Sequence, residues 1–146
     1  MSITVLGFDF GLNRTGVAIG NTLTGLATPR AVLYSQNNQP DWLGIERLIQ
    51  LWRPQILVVG MPRKLDGTDS SMQESILKFC RELEKRTKLP VQTANEQLSS
   101  REAEQRLKNA RQAGRKRKIR KEEIDQLAAA IILENWMHDY AQQQQL

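Results

Sequence analysis

The segment Ile56–Gly60 (ILVVG) contains no polar side chain and is too short for a self-sufficient buried helix. A strand of this kind is buried on both faces, which requires covering layers on either side of its sheet. Ile3–Phe10 (ITVLGFDF) is a second short apolar run with β-branched residues, closed by Gly11. Thr15–Gly20 (TGVAIG) begins after a gap of four residues, Gly11–Arg14, so the two runs are expected to pair as an antiparallel hairpin. Leu26–Tyr34 offers a third strand, and Pro29 restricts it to a sheet edge or a shorter segment.

Helical spacing takes over next. Asp41–Trp52 carries Trp42, Ile45, Leu48, Ile49 and Trp52 at helical intervals, with Asp41 suited to the N-cap and Pro54 as the stop. After Ile56–Gly60 and a polar loop, Asp69 or Ser70 can cap a helix bearing Met72, Ile76, Phe79, Cys80 and Leu83. Val91–Ala94 reads as a short strand, and Ser99 or Ser100 starts a helix to about Asn109. A last helix, from about Glu122 to Tyr140, places Ile124, Leu127, Ala128, Ile131 and Ile132 on one face. A meander followed by alternating α and β elements predicts an α/β domain with a mixed five-stranded sheet flanked by helices. The 146 residues fit one domain, with a frayed glutamine tail from about residue 141.

Composition narrows the functional classes. No apolar run approaches the roughly 20 residues that span a bilayer, and no basic leader precedes the first strand, so a cytoplasmic protein without a membrane partner is expected. The single cysteine, Cys80, excludes an internal disulfide, and with only His138 beside it no zinc site can be assembled. Cys80 lies on a helical core face, where no nucleophilic triad can form around it. His138 reads as a surface residue.

The net charge of +5 is concentrated in Arg111–Lys121 (RQAGRKRKIRK). Such a run is ordinarily a solvated loop, but this one leads straight into the helix carrying Asp125. Arg115, Lys116, Arg117, Lys118 and Arg120 are therefore expected to contact nucleic-acid phosphates. Arg14, Arg63 and Lys64, in predicted loops, are secondary candidates. Trp42 and Trp52 sit at core spacing and read as packing residues rather than base-stacking platforms.

Asp9 interrupts an apolar strand, where a carboxylate is costly unless a partner or cation offsets it. A structural aspartate bonded to loop amides around Gly11 is the alternative. Glu96 follows the strand Val91–Ala94, at the kind of strand end where open α/β sheets bind ligands. Asp125 borders the apolar stripe of the last helix and shares a face with Ala129 and Ile132. Each of the latter two alone reads more simply as a surface residue. Three carboxylates from three elements could nevertheless converge to hold one or two Mg²⁺ or Mn²⁺ ions, which prefer oxygen ligands.

Gly7-Phe8-Asp9-Phe10-Gly11 followed by Arg14-Thr15-Gly16-Val17-Ala18 resembles the opening of the YqgF (RuvX) family of pre-16S ribosomal RNA nucleases, also called Holliday junction resolvase-like proteins. Val59-Gly60-Met61-Pro62 with Asp66-Gly67-Thr68 is similar to that family's central loop. Asn95-Glu96-Gln97 stands where the family usually has Asp-Glu-Arg, and Asp125 with Ala128, Ala129 and Ile132-Leu133 resembles its closing helix. The resemblance implies an RNase H-like fold and metal-dependent hydrolysis of phosphodiesters by Asp9, Glu96 and Asp125. It also implies a role in trimming the 5′ end of precursor 16S ribosomal RNA. Asn95, Gln97 and Gly20-Asn21 depart from the pattern. Gln97 in particular cannot make a charge-assisted phosphate contact, so the chemistry is expected to be weakened or retuned.

Expected partners are accordingly precursor ribosomal RNA or structured DNA, with ribosomal precursor particles, and the expected assembly is a monomer or weak homodimer. Two further functions compete. A four-way-junction DNA resolvase shares fold and carboxylates but needs a dimer to cut two strands symmetrically. A catalytically weak nucleic-acid-binding module is the other.

Overall fold

The computed structural model describes residues 2–61, 71–95, 105, 106, 109 and 120–144. Its strands are β1 (Thr4–Asp9), β2 (Arg14–Asn21), β3 (Leu26–Tyr34), β4 (Ile56–Met61) and β5 (Val91–Asn95). Among the described residues the helices are α1 (Trp42–Trp52), α2 (Ser71–Thr87) and α3 (Lys121–Gln144).

The strands form one sheet in the order β3-β2-β1-β4-β5. The expected hairpin is present, with β1 and β2 antiparallel and Asp9 opposite Gly16. β3 lies at the sheet edge, as Pro29 requires, and its register shifts beside Pro29, opposite Val17 and Ala18. β1, β4 and β5 run parallel, so their C-terminal ends share one edge of the sheet. The sheet is therefore mixed.

Period-two alternation sends β1 side chains to two different layers. Leu6 and Phe8 face the layer of α1 and α2, where they pack with Val17, Leu57, Ile45, Ile76, Phe79 and Leu83. Phe79 is the hub of that layer, edge-on to Phe8 and stacked between Phe10 and Trp42 at centroid distances of 4.6 and 5.4 Å. Trp42 thus packs as expected, and Arg86 lies over its ring. Asp41 caps α1 by accepting the Gly44 N–H at 2.9 Å. The helix ends at Trp52, two residues before Pro54, with the C-cap Arg53 in the left-handed region (φ 47°) and its N–H returned to the Ile49 carbonyl.

The opposite face of the sheet carries α3 alone among the described elements. Val5, Ala18 and Val58 meet Ala129, Ala130, Ile132, Leu133, Trp136 and Met137 there, and the Trp136 indole N–H donates to the Gln92 side chain at 3.0 Å. Two details differ from the sequence-based expectation. The stripe against the sheet shares only Ile132 and, at its margin, Leu127 with the expected face, whose Ile124, Ala128 and Ile131 lie in a separate small cluster that Leu127 also touches. A helix with apolar residues on more than one side has no single stripe to find. The helix also continues to Gln144 instead of fraying from about residue 141. Alanine and glutamine are sound helix formers, no Gly or Pro interrupts them, and Tyr140 stacks on Trp136 at 5.0 Å.

Candidate active site

Alternation places Val5, Gly7 and Asp9 on the α3 side of β1, and Arg14, Gly16 and Ala18 on the same side of β2. Asp9 is the last residue of β1 and is half-buried. It is thus at the mouth of the core rather than inside it, because β1 ends one residue earlier than the apolar run suggests. Its partial exposure there reduces the cost of its charge.

Asp125 reaches the same place from the other end of the chain. It lies near the N-terminus of α3, whose positive end favours carboxylates. The helix comes down on β2 so closely that a Cβ at Gly16 would stand 2.2 Å from the Asp125 carbonyl oxygen. Gly16 is also the cross-strand partner of Asp9. One glycine therefore sets both carboxylates beside each other.

Between them is a cavity of about 230 Å³ lined by Asp9, Phe10, Gly11, Leu12, Asn13, Arg14 and Asp125. Its rim is the β1–β2 connection, which folds back so tightly that a Cβ at Gly11 would meet the Arg14 carbonyl oxygen at 2.6 Å. Arg14 Nε donates to Asp125 Oδ2 in an ion pair whose side chains are 32% and 22% exposed. The bond to Asp125 and that residue's negative charge raise the Arg14 pKa, so the guanidinium stays charged. Arg14 lies opposite Tyr34 in the β2–β3 register, and the Tyr34 hydroxyl donates to Glu122 Oε1 at 3.1 Å. Loss of hydration and then the Glu122 bond raise the Tyr34 pKa; a backbone N–H and then Tyr34 hold Glu122 below the usual carboxylate range.

The structure brings together Asp9, Asp125 and Arg14. Arg120 is exposed immediately before α3, and its carbonyl accepts the Glu123 and Ile124 N–H groups. Glu96, Arg63, Lys64, Arg115, Lys116, Arg117 and Lys118 lie outside the described residues. Among the described residues no three His, Cys, Asp or Glu side chains form a metal-holding group. The two carboxylates that do share a cavity offer oxygen donors, which suit a hard divalent cation. Cys80 is partly buried against the α1–α2 layer, and burial pushes its thiol up to about 11, which rules it out as a ready nucleophile. His138 is exposed, as read from the sequence.

Sequence reasoning missed Gly16, Tyr34 and Glu122 as parts of the site. A glycine inside a strand does signal a close backbone approach, and Gly16 had that signal. Tyr34 and Glu122 carried none.

The sheet order, its mixed direction and the long helix crossing one face define the RNase H-like α/β fold. RuvC of T. thermophilus in complex with a Holliday junction substrate superposes with a TM-score of 0.56 at 16% identity, covering 96% of each chain. The yeast mitochondrial Holliday junction resolvase Ydc2 gives 0.52 at 16% identity, over 94% of this chain and 79% of its own. At such identities these likenesses concern the fold. The family is fixed by sequence: the profile of RuvX, described as "Holliday junction resolvase", matches residues 3–139. The chain belongs to the RuvX (YqgF) family. Relatives include proteins named "Putative pre-16S rRNA nuclease" from Hydrogenovibrio crunogenus, 45% identical over 91% of this chain and 92% of its own, and Azotobacter vinelandii, 43% identical over 91% and 92%. Both family descriptions are of nucleases, in agreement with the expected hydrolase acting on ester bonds.

Proposed function

We propose that this protein is a divalent-metal-dependent nuclease that processes the 5′ end of precursor 16S ribosomal RNA, using Asp9, Glu96 and Asp125. The observation that carries the reading is the shared cavity of Asp9 and Asp125, residues from the first strand and the last helix. β5 ends at Asn95 on the same sheet edge as Asp9, and Glu96 is the next residue along the chain.

Mg²⁺ or Mn²⁺ held by these carboxylates would supply the positive charge that lowers the pKa of an attacking water and offsets charge on the leaving oxygen. The protein's own contribution is placement. Asp9 is fixed by a strand paired on both sides, and Asp125 by a helix seated on Gly16. Rigid elements hold such a constellation more closely than loops do. The basic run Arg111–Lys121 would gather the RNA backbone next to the site.

RNA is favoured over four-way-junction DNA as the substrate because the relatives named for ribosomal RNA are 45% and 43% identical, against 16% for the junction-bound RuvC. The same reading puts the protein in the cytoplasm, on precursor ribosomal particles. The test offers 5′-extended 16S RNA and a synthetic four-way junction side by side with Mg²⁺ or Mn²⁺. Cleavage of the RNA with little cleavage of the junction is the expected result. Symmetric cutting of the junction alone would replace this reading with the resolvase.

A further inference from the structure

Of the two carboxylates in the cavity, Asp125 is already engaged by a cation of the protein's own, the Arg14 guanidinium. A metal ion on the same carboxylate would stand close to that guanidinium, and the two positive charges would repel each other. Resting on the proposed metal-dependent activity, we propose that Arg14 is an exchange residue: it holds the Asp125 carboxylate in place until a divalent cation is bound, then turns to an oxygen of the substrate phosphate.

The surroundings of Arg14 suit such an exchange. Both members of the pair are partly exposed, so water can solvate either charge while the pair is open, and separating them avoids the cost of stranding a buried ion. Glu122, one turn before Asp125 on the same side of α3, is a second anionic neighbour of Arg14. It is held by the Tyr34 hydroxyl, so it stays in place when Asp125 is withdrawn. Arg14 also lines the cavity itself, and its planar fork matches two phosphate oxygens. A released guanidinium therefore has a phosphate within the same cavity to turn to.

The arrangement has a sign that a purely structural salt bridge lacks. If Arg14 competes with the metal, removing it should strengthen metal binding while weakening catalysis. If Arg14 only props up Asp125, removing it should weaken both. Mn²⁺ binding to the full chain in the absence of nucleic acid, followed by calorimetry or by the electron paramagnetic resonance of free Mn²⁺, separates the two. Arg14→Gln should bind Mn²⁺ several-fold more tightly than wild type, and its kcat for RNA cleavage should fall with little change in KM. Arg14→Lys keeps a competing charge without the fork; it should leave Mn²⁺ affinity near wild type and still lower kcat.

Wild-type binding that Asp125→Asn weakens, together with unchanged or weaker binding by Arg14→Gln, would overturn the exchange and leave the nuclease reading intact. No Mn²⁺ binding by wild type at millimolar concentration would overturn both. Thermal melting of each variant guards against unfolding, and Arg14→Lys supplies the second, milder substitution should Arg14→Gln melt early.

Discussion

Gly16 and Asp125 meet backbone to backbone: the Asp125 carbonyl oxygen lies where any side chain on Gly16 would begin. The contact joins the second strand to the last helix, and the antiparallel register carries it on to Asp9. Geometry at the candidate site is thus set by the absence of one Cβ.

Gly16→Ala tests that directly. The obstructing atom belongs to a helix backbone and cannot rotate aside, so α3 must shift. Overpacking of this kind costs typically about 1–3 kcal/mol, and the upper part of that range is expected here. A melting curve should show the loss. Nuclease activity should fall further than the unfolded fraction accounts for, because Asp125 moves with the helix.

Asp41→Ala provides the contrasting case. Its carboxylate caps α1 on the far layer by accepting the Gly44 N–H, and losing a cap of this sort costs about 1 kcal/mol. Denaturant titration should report that loss, with cleavage per folded molecule unchanged. A large drop in activity would mean that the α1 layer takes part in the site.

Alkaline stability should depend on Cys80. Burial raises its thiol from 9.0 to about 11, so the folded state holds the proton more tightly than the unfolded chain. Its stabilising contribution is complete below pH 9.0 and is lost as pH rises through about 11. Melting temperature should therefore fall across that window more steeply in wild type than in Cys80→Ala. Equal slopes would show that the thiol is not the group responsible. Tyr34, whose raised pKa acts in the same direction, would then be the group to replace.

Much of the fold was legible because its signals were local. Ile56–Gly60 had to be a doubly covered strand, Pro29 had to sit at an edge, and Asp41 had to start a helix; all three hold. The last helix was harder: of the face read from the sequence, Ile132 joins the contact with the sheet and Leu127 packs against it, while Ile124, Ala128 and Ile131 belong to a separate cluster and Ala129, Leu133 and Met137 complete the contact. For the site, Asp9 was singled out as a charge inside a strand, yet it stands half-buried at the strand's end. Asp9 does line the cavity beside Asp125, and it is less isolated than its place in an apolar run implied. The Arg14–Asp125 pair was not legible at all, because its partners are 111 residues apart and meet only through the close approach at Gly16.

The most direct test of the account compares wild type with Asp9→Asn on 5′-extended 16S RNA, in Mg²⁺ or Mn²⁺ and again with chelator. Removing a group that supports a metal ligand costs about 10–100-fold, so loss of the ligand itself should lower the rate by at least about 100-fold. Wild type is predicted to cut the RNA only with metal, and Asp9→Asn to remain folded while failing to cut. Equal cleavage by both proteins, or cleavage that persists in chelator, would contradict it.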